Sequence, residues 1–217
     1  MFNFNNYRFR FYFPALIFAV LAVFAGCKDD DPVNSNNDFS KELALRQGMR
    51  KLWTDHVVWT REYIIARVDG ASDPQAAATR LLKNQDDIGA AIATYYGKTV
   101  GDSLTSLLKE HITIAVDLVD AAIAKDQTKF NNFNTKWSQN GQKIADYLSS
   151  ANPNWPQATL REMMTKHLQT TAVEVNARLN KDYAADVQAF DDIYNHILMM
   201  ADALSDGIIK QFPDKFK

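Results

Sequence analysis

Six polar residues recur along this chain at near-constant intervals, and that spacing constrains the fold more than any other feature. His56, Asn84, His111, Asn140, His167 and His196 are separated by 28, 27, 29, 27 and 29 residues. The midpoint of each interval falls in a segment rich in helix-breaking or capping residues: Asp69-Gly70 followed by Asp73-Pro74, Gly97 to Gly101, Lys125-Asp126, Asn152 to Pro156, and Asn180 to Asp182. Between these breaks apolar residues recur at three and four rather than at two, which predicts helices and no strands. The expected helices cover about 40–68, 74–96, 102–124, 129–149, 157–180 and 184–211. Pro74 and Pro156 suit a first helical turn, and Asp73 suits an N-cap. Short connections between helices of similar length imply antiparallel neighbours, so the fold class is all-α, an up-and-down bundle of about six helices.

In antiparallel helices two residues equally far from the connecting turn lie at one height, so the six polar residues should share one layer. Their faces point inward. His56 shares a helical stripe with Met49, Leu52, Trp53, Thr60 and Tyr63, and His111 with Leu104, Leu107, Leu108, Ala115 and Leu118. His167 continues the stripe of Leu160, Met163 and Met164 toward Thr170, Thr171 and Glu174, while His196 lies with Ile193, Met200, Ala203 and Leu204. In the polar run NQDD at 84–87, Gln85 is best placed to face inward. A shift of 56 residues superposes Asn84 on Asn140, Ile88 on Ile144, Leu104 on Leu160 and His111 on His167, consistent with a duplicated helix pair.

Buried imidazoles need partners, because an unpaired polar group in an apolar interior costs a few kcal/mol. One reading makes the layer a site for a divalent transition metal or a small ligand, with His56, His111, His167 and His196 as donors and Glu174, two turns from His167, as a carboxylate donor. Asp192, four residues before His196, would orient that ring. Asn84, Gln85 and Asn140 would support the layer. A metal-dependent hydrolase or transferase is a further possibility on such a scaffold, given an open coordination position beside a cleft. The competing reading is a structural or interaction protein whose polar core is satisfied internally and binds nothing. Compact metal and haem signatures are missing: there is no Glu-x-x-His, His-Glu-x-x-His or Cys-x-x-Cys-His. No Gly-x-Ser-x-Gly elbow or phosphate-binding glycine loop occurs, so no catalytic residue is assigned. Glu62, Asp117 and Asp202 each follow a histidine by six residues and fall about 120° off its face. Trp53, Trp59, Trp137 and Trp155 read as core aromatics.

The amino-terminal segment constrains where such a bundle works. Arg8 and Arg10 precede fifteen uncharged residues, Phe11 to Ala25, which as a helix would reach about 22 Å, short of a bilayer span. Ala25 and Gly26 precede the single cysteine, Cys27, in an arrangement that resembles the lipobox of bacterial lipoproteins, with Phe24 in place of the usual aliphatic residue. The expectation is a signal peptide over 1–26 and a fatty-acylated (palmitate-type) Cys27 that anchors an exported protein to the outer membrane or cell surface. Residues 27–38, including the acidic run Asp29 to Asp31, read as a flexible tether, and the bundle domain covers 39–217. With Cys27 acylated, no disulfide forms within the chain.

Residues 27–217 carry 22 of the chain's 24 basic residues and all 26 acidic ones, a formal charge of −4. Cations and anions are interspersed, so no nucleic-acid partner is expected. The segments LWTDHVVWTREYI (52–64), RLLKNQDDIG (80–89), the His-Ile pair at 111, the NPN turn at 152–154 and HILMMADALSDGIIKQFP (196–213) together resemble a family of small bacterial all-helical proteins. No activity is established for that family, so the resemblance implies the helical fold and carries over no catalytic role.

Overall fold

The computed structural model describes residues 35–70 and 72–217. Cys27, the expected signal peptide and most of the expected tether lie outside them. Six helices follow one another: α1 Ser35–Asp69, α2 Pro74–Tyr96, α3 Lys98–Ile123, α4 Gln127–Ala151, α5 Gln157–Leu179 and α6 Tyr183–Gln211, with a short 3-10 turn at Pro213–Lys215. Among the described residues there is no strand, and no helix is long and apolar enough to cross a membrane. The fold is the all-α antiparallel bundle expected from the spacing. α1 begins at Ser35, inside the segment expected to be tether, because Ser, Asn and Asp are as compatible with a first helical turn as with a linker.

Each helix packs on its neighbours in sequence, and α6 returns against α1, so the six close into a ring. Its buried apolar side chains form one large cluster and two smaller ones, around Tyr63 and Ile64 and around Trp137 and Leu168. The α1–α6 seam is fixed by Arg46 on Asp206 and by Arg50 on Asp202, a register in which His56 and His196 stand level.

The two ends of the ring are built differently. At one end lie the turns α1–α2, α3–α4 and α5–α6. Each combines a left-handed residue with an aspartate cap: Gly70 (φ 67°) before Asp73, Lys125 (φ 54°) before Asp126, and Lys181 (φ 58°) before Asp182. Asp73, Asp126 and Asp182 accept from the backbone N–H of Gln75, Lys129 and Ala185 at 2.9, 3.0 and 3.0 Å, supplying helix donors that have no intrahelical partner. The opposite end is shut by aromatics. Trp155 packs on Tyr96, Tyr96 on Phe212, and Tyr95 stacks on Phe216.

Near this closed end α2 and α3 approach so closely that only glycine fits between them. A Cβ added to Gly101 would stand 2.5 Å from the Gly89 carbonyl oxygen and 2.6 Å from the Ala93 Cβ, both on a neighbouring helix that cannot rotate away. Gly101→Ala is expected to lower stability by about 1–3 kcal/mol through overpacking. Gly48→Ala, where an added Cβ meets nothing within 4 Å, should raise it by up to ~1 kcal/mol through helix propensity. Urea unfolding of the two variants checks both signs.

Candidate functional site

The polar layer exists, and a single device builds it three times. On α2, the Asn84 side-chain Nδ2 donates to the main-chain carbonyl of Leu52 at 3.0 Å; on α4, Asn140 Nδ2 donates to Leu107 at 3.2 Å; on α6, His196 Nε2 donates to Met163 at 2.9 Å. Leu52, Leu107 and Met163 each lie four residues before a histidine, His56, His111 and His167. Each helical hairpin is therefore locked by a polar side chain of its second helix, bonded one turn from the histidine of its first. The three hairpins repeat, which extends the helix-pair duplication legible in the sequence.

The histidines divide accordingly. His56, His111 and His167, from α1, α3 and α5, converge in the core. Ring centroids of His56 and His167 are 5.6 Å apart, and those of His111 and His167 are 6.3 Å apart. His196 does not join them as a donor of the cluster, because its Nε2–H is committed to the Met163 carbonyl in the role asparagine fills elsewhere. Asp192 does not orient it. That carboxylate is exposed and accepts from Gln188 at 3.3 Å.

Glu174 is buried, as its stripe implied, but serves another purpose. It accepts from Arg61 Nη1 at 2.5 Å, and Arg61 also makes a bidentate pair with Asp186 at 2.9 and 3.0 Å. Arg178 extends the network to Asp186 and Asp69. A buried carboxylate finds more stabilisation in a guanidinium from α1 than in neutral imidazoles. Among the described residues no three His, Cys, Asp or Glu side chains group so as to hold a metal ion.

Hydrogen bonds assign the protons of the layer. Asn140 donates through Nδ2 to Leu107 and Glu110, so its Oδ1 is the atom that faces His111 Nδ1 at 2.8 Å. His111 therefore carries its proton on Nδ1 and presents a bare lone pair on Nε2. Gln85, fully buried on α2, donates Nε2 to the Leu81 carbonyl at 2.9 Å and to Asn84 Oδ1 at 3.2 Å, with His56 Nδ1 3.3 Å from the same nitrogen. His167 Nδ1 and His111 Nε2 have no hydrogen-bond partner within the protein, and neither has the indole Nε1 of Trp137, whose ring stacks on His111 with centroids 5.2 Å apart.

All three of these residues line a cavity of about 350 Å³ between α1, α3, α4 and α5. It extends from the histidines toward the end formed by the three hairpin turns, where exposed Lys125, Gln127, Asn134 and Asn176 contribute to its wall. Its origin is a step in side-chain size across the layer. On the closed side α3 contributes Leu104 and Leu108 and α5 contributes Leu160 and Met164, and the space left there is only about 20 Å³, room for a water at most. On the other side the same faces carry Ala115, Ala122, Thr171 and Val175, which do not fill the ring.

Burial sets the charge state. It pushes His56 down to about 3, with the neighbouring His111 adding to the effect, and pushes His111 down to about 4 against the raising influence of Asn140. His167 is lowered further by burial and by the other imidazoles. The cluster is neutral at physiological pH.

An unfolded imidazole protonates near ~6.5, so below that pH protons bind the unfolded chain first and stability falls as pH drops toward the folded values. At pH 4.5, His111 alone should have removed about 2–3 kcal/mol. Glu174, raised by burial to about 7 against the pull of Arg61, acts with the opposite sign, losing stability as pH rises from 4.5 toward 7. Comparison with His111→Gln isolates the imidazole: urea midpoints measured from pH 7.5 to 4.5 should fall less steeply in the variant, and equal slopes would contradict the assignment. Compared with protein-family models, with curated proteins and with solved structures, the chain matches none.

Proposed function

We propose that this chain is an exported, lipid-anchored binding protein whose helical ring takes a small organic ligand into the cavity above the histidine layer. Support for export and anchoring comes from the run Phe11 to Gly26 ending at Cys27. Support for binding comes from one observation: beside the histidine layer lies a cavity of about 350 Å³, walled largely by apolar side chains and lined also by His56, His111, His167 and Trp137. A volume of this order, apolar with a few convergent polar groups, is typical of small-molecule sites. The donor set favours an organic ligand over a metal ion: Glu174 is paired with Arg61 and His196 is bonded to a main-chain carbonyl.

Native mass spectrometry of the untagged protein, extracted from its own membranes without denaturation, should reveal a stoichiometric organic mass released on unfolding. Ala115→Trp, which fills the cavity, should lose that mass while keeping its helical circular dichroism. Elemental analysis of the same sample separates the alternatives. One equivalent of a transition metal retained through His56, His111 and His167 would overturn the proposal in favour of a metal site. A protein that carries neither, and whose melting temperature no added small molecule shifts, would leave a structural or interaction role.

A further inference from the structure

Resting on the reading of the cavity as a ligand site, the distribution of polarity along it selects the class of ligand. Its inner end offers little to a polar head. The unpartnered atoms His111 Nε2, His167 Nδ1 and Trp137 Nε1 are closed off from the cavity as well as from solvent, although their residues line it. Thr60 and Thr171 spend their hydroxyl protons on the main-chain carbonyls of His56 and His167, within their own helices, at 2.8 and 2.9 Å. Ile64, Leu81, Ile112, Val116, Val119 and Val175 make the wall apolar.

The rim is the reverse. Gln127 and Asn134 of α4 and Asn176 of α5 are exposed there, with Lys125 in the α3–α4 turn. Lys125 and Asp126 are the formally charged residues of the lining, and they are not equivalent. Asp126 caps α4 through the Lys129 N–H at 3.0 Å and pairs with the Lys129 ammonium at 3.5 Å. Lys125, left-handed at φ 54°, has no carboxylate within ion-pair reach among the described residues. A cavity that is apolar within and carries one unspent cation at its rim matches an amphiphile that enters tail first and leaves an anionic head at the surface. Drawn deeper, that head would lose its hydration among neutral side chains.

Size follows from two independent measures. Along α3 the lining runs from His111 to Lys125, and along α5 from His167 to Leu179, about 18–21 Å at 1.5 Å per residue. An extended chain advances about 1.2 Å per bond, a third of the residue repeat, so that length takes roughly fifteen to seventeen atoms. The volume of about 350 Å³ is a little over twice the roughly 150 Å³ that accepts a six-carbon benzene ring, hence roughly fourteen carbons. Length and volume agree for one slim chain, and a second chain would need twice the space.

We propose that the ligand is a fatty acid of roughly fourteen carbons, its tail reaching inward to the histidine layer and its carboxylate resting at the rim beside Lys125.

Isothermal titration calorimetry at pH 7 tests this on residues 34–217, the compact unit that holds all six helices, with decanoate, tetradecanoate and tetradecylammonium below their micelle concentrations. Each methylene taken out of water strengthens binding about fourfold, so tetradecanoate should bind about a hundredfold or more tightly than decanoate. It should also bind about fivefold more tightly than tetradecylammonium, the scale of one exposed ion pair set against its repulsive counterpart. Lys125→Asn, which removes the cation and keeps a residue suited to the left-handed turn, should level the two heads, and Lys125→Glu should reverse their order. Ala115→Trp should lose all three probes. Equal affinity of decanoate and tetradecanoate, or retained binding in Ala115→Trp, would overturn the buried tail. Tetradecylammonium binding wild type as tightly as tetradecanoate, or a preference unchanged in Lys125→Asn, would overturn the head at Lys125. Any of these results, or no binding of the three probes, removes this inference alone if an organic mass is still released from the native protein. No probe bound and no mass released would remove the function it rests on as well.

Discussion

A single hydrogen bond, from a side-chain N–H on the second helix of a hairpin to a main-chain carbonyl on the first, organises the rest of the molecule. Its three copies, Asn84 to Leu52, Asn140 to Leu107 and His196 to Met163, lie at one level of the ring. Individually each contributes only about 1 kcal/mol net. Their larger effect is on register. Sliding one helix past the other by a residue would leave a buried amide or imidazole N–H facing hydrocarbon, at about 1–3 kcal/mol per group. Apolar stripes alone tolerate such slips, because leucine, isoleucine and methionine exchange places at small cost. The polar layer removes that degeneracy in a chain that has no disulfide to do so.

Each such bond fixes one hairpin internally, and the packing of the three hairpins into a ring brings His167 within ring contact of both His56 and His111. Three imidazoles in an apolar core exclude protons by burial and by mutual repulsion. The adjacent ionic network of Arg61, Glu174, Asp186, Arg178 and Asp69 handles charge separately, on the α1–α5–α6 side and away from the cavity lining. None of these five ionic side chains lines the cavity, so the imidazole layer and the cavity beside it are kept apart from the network.

The layer itself was legible in the sequence because antiparallel helices convert equal spacing into equal height. The helix ends were legible for a related reason, since Asp73, Asp126 and Asp182 mark them chemically. Rotation about each helix axis was harder to read. Whether His196 points at its hairpin partner or at the centre depends on a few tens of degrees, and only the repeated position of Asn84, Asn140 and His196 relative to a histidine in the preceding helix could have signalled its role. Glu174 was read correctly as buried but given the wrong neighbour, because Arg61 approaches from a helix more than a hundred residues away in sequence. The cavity left a faint trace in the drop from leucine and methionine to alanine, threonine and valine along α3 and α5. Periodicity counts such residues alike as apolar or neutral and so passes over the loss of volume.

The ring has a polarity that its near-symmetric construction conceals. α1 starts at the aromatic-sealed end and delivers its chain to the hairpin-turn end, so Ser35 and the cavity wall near Lys125 lie at opposite poles. Thirty-five helical residues separate the start of α1 from its last turn, a rise of about 50 Å. Entry to the cavity is thus confined to one pole of the ring, the one whose rim is made by the aspartate-capped turns, while the other pole is stoppered by Trp155, Tyr96 and Phe212.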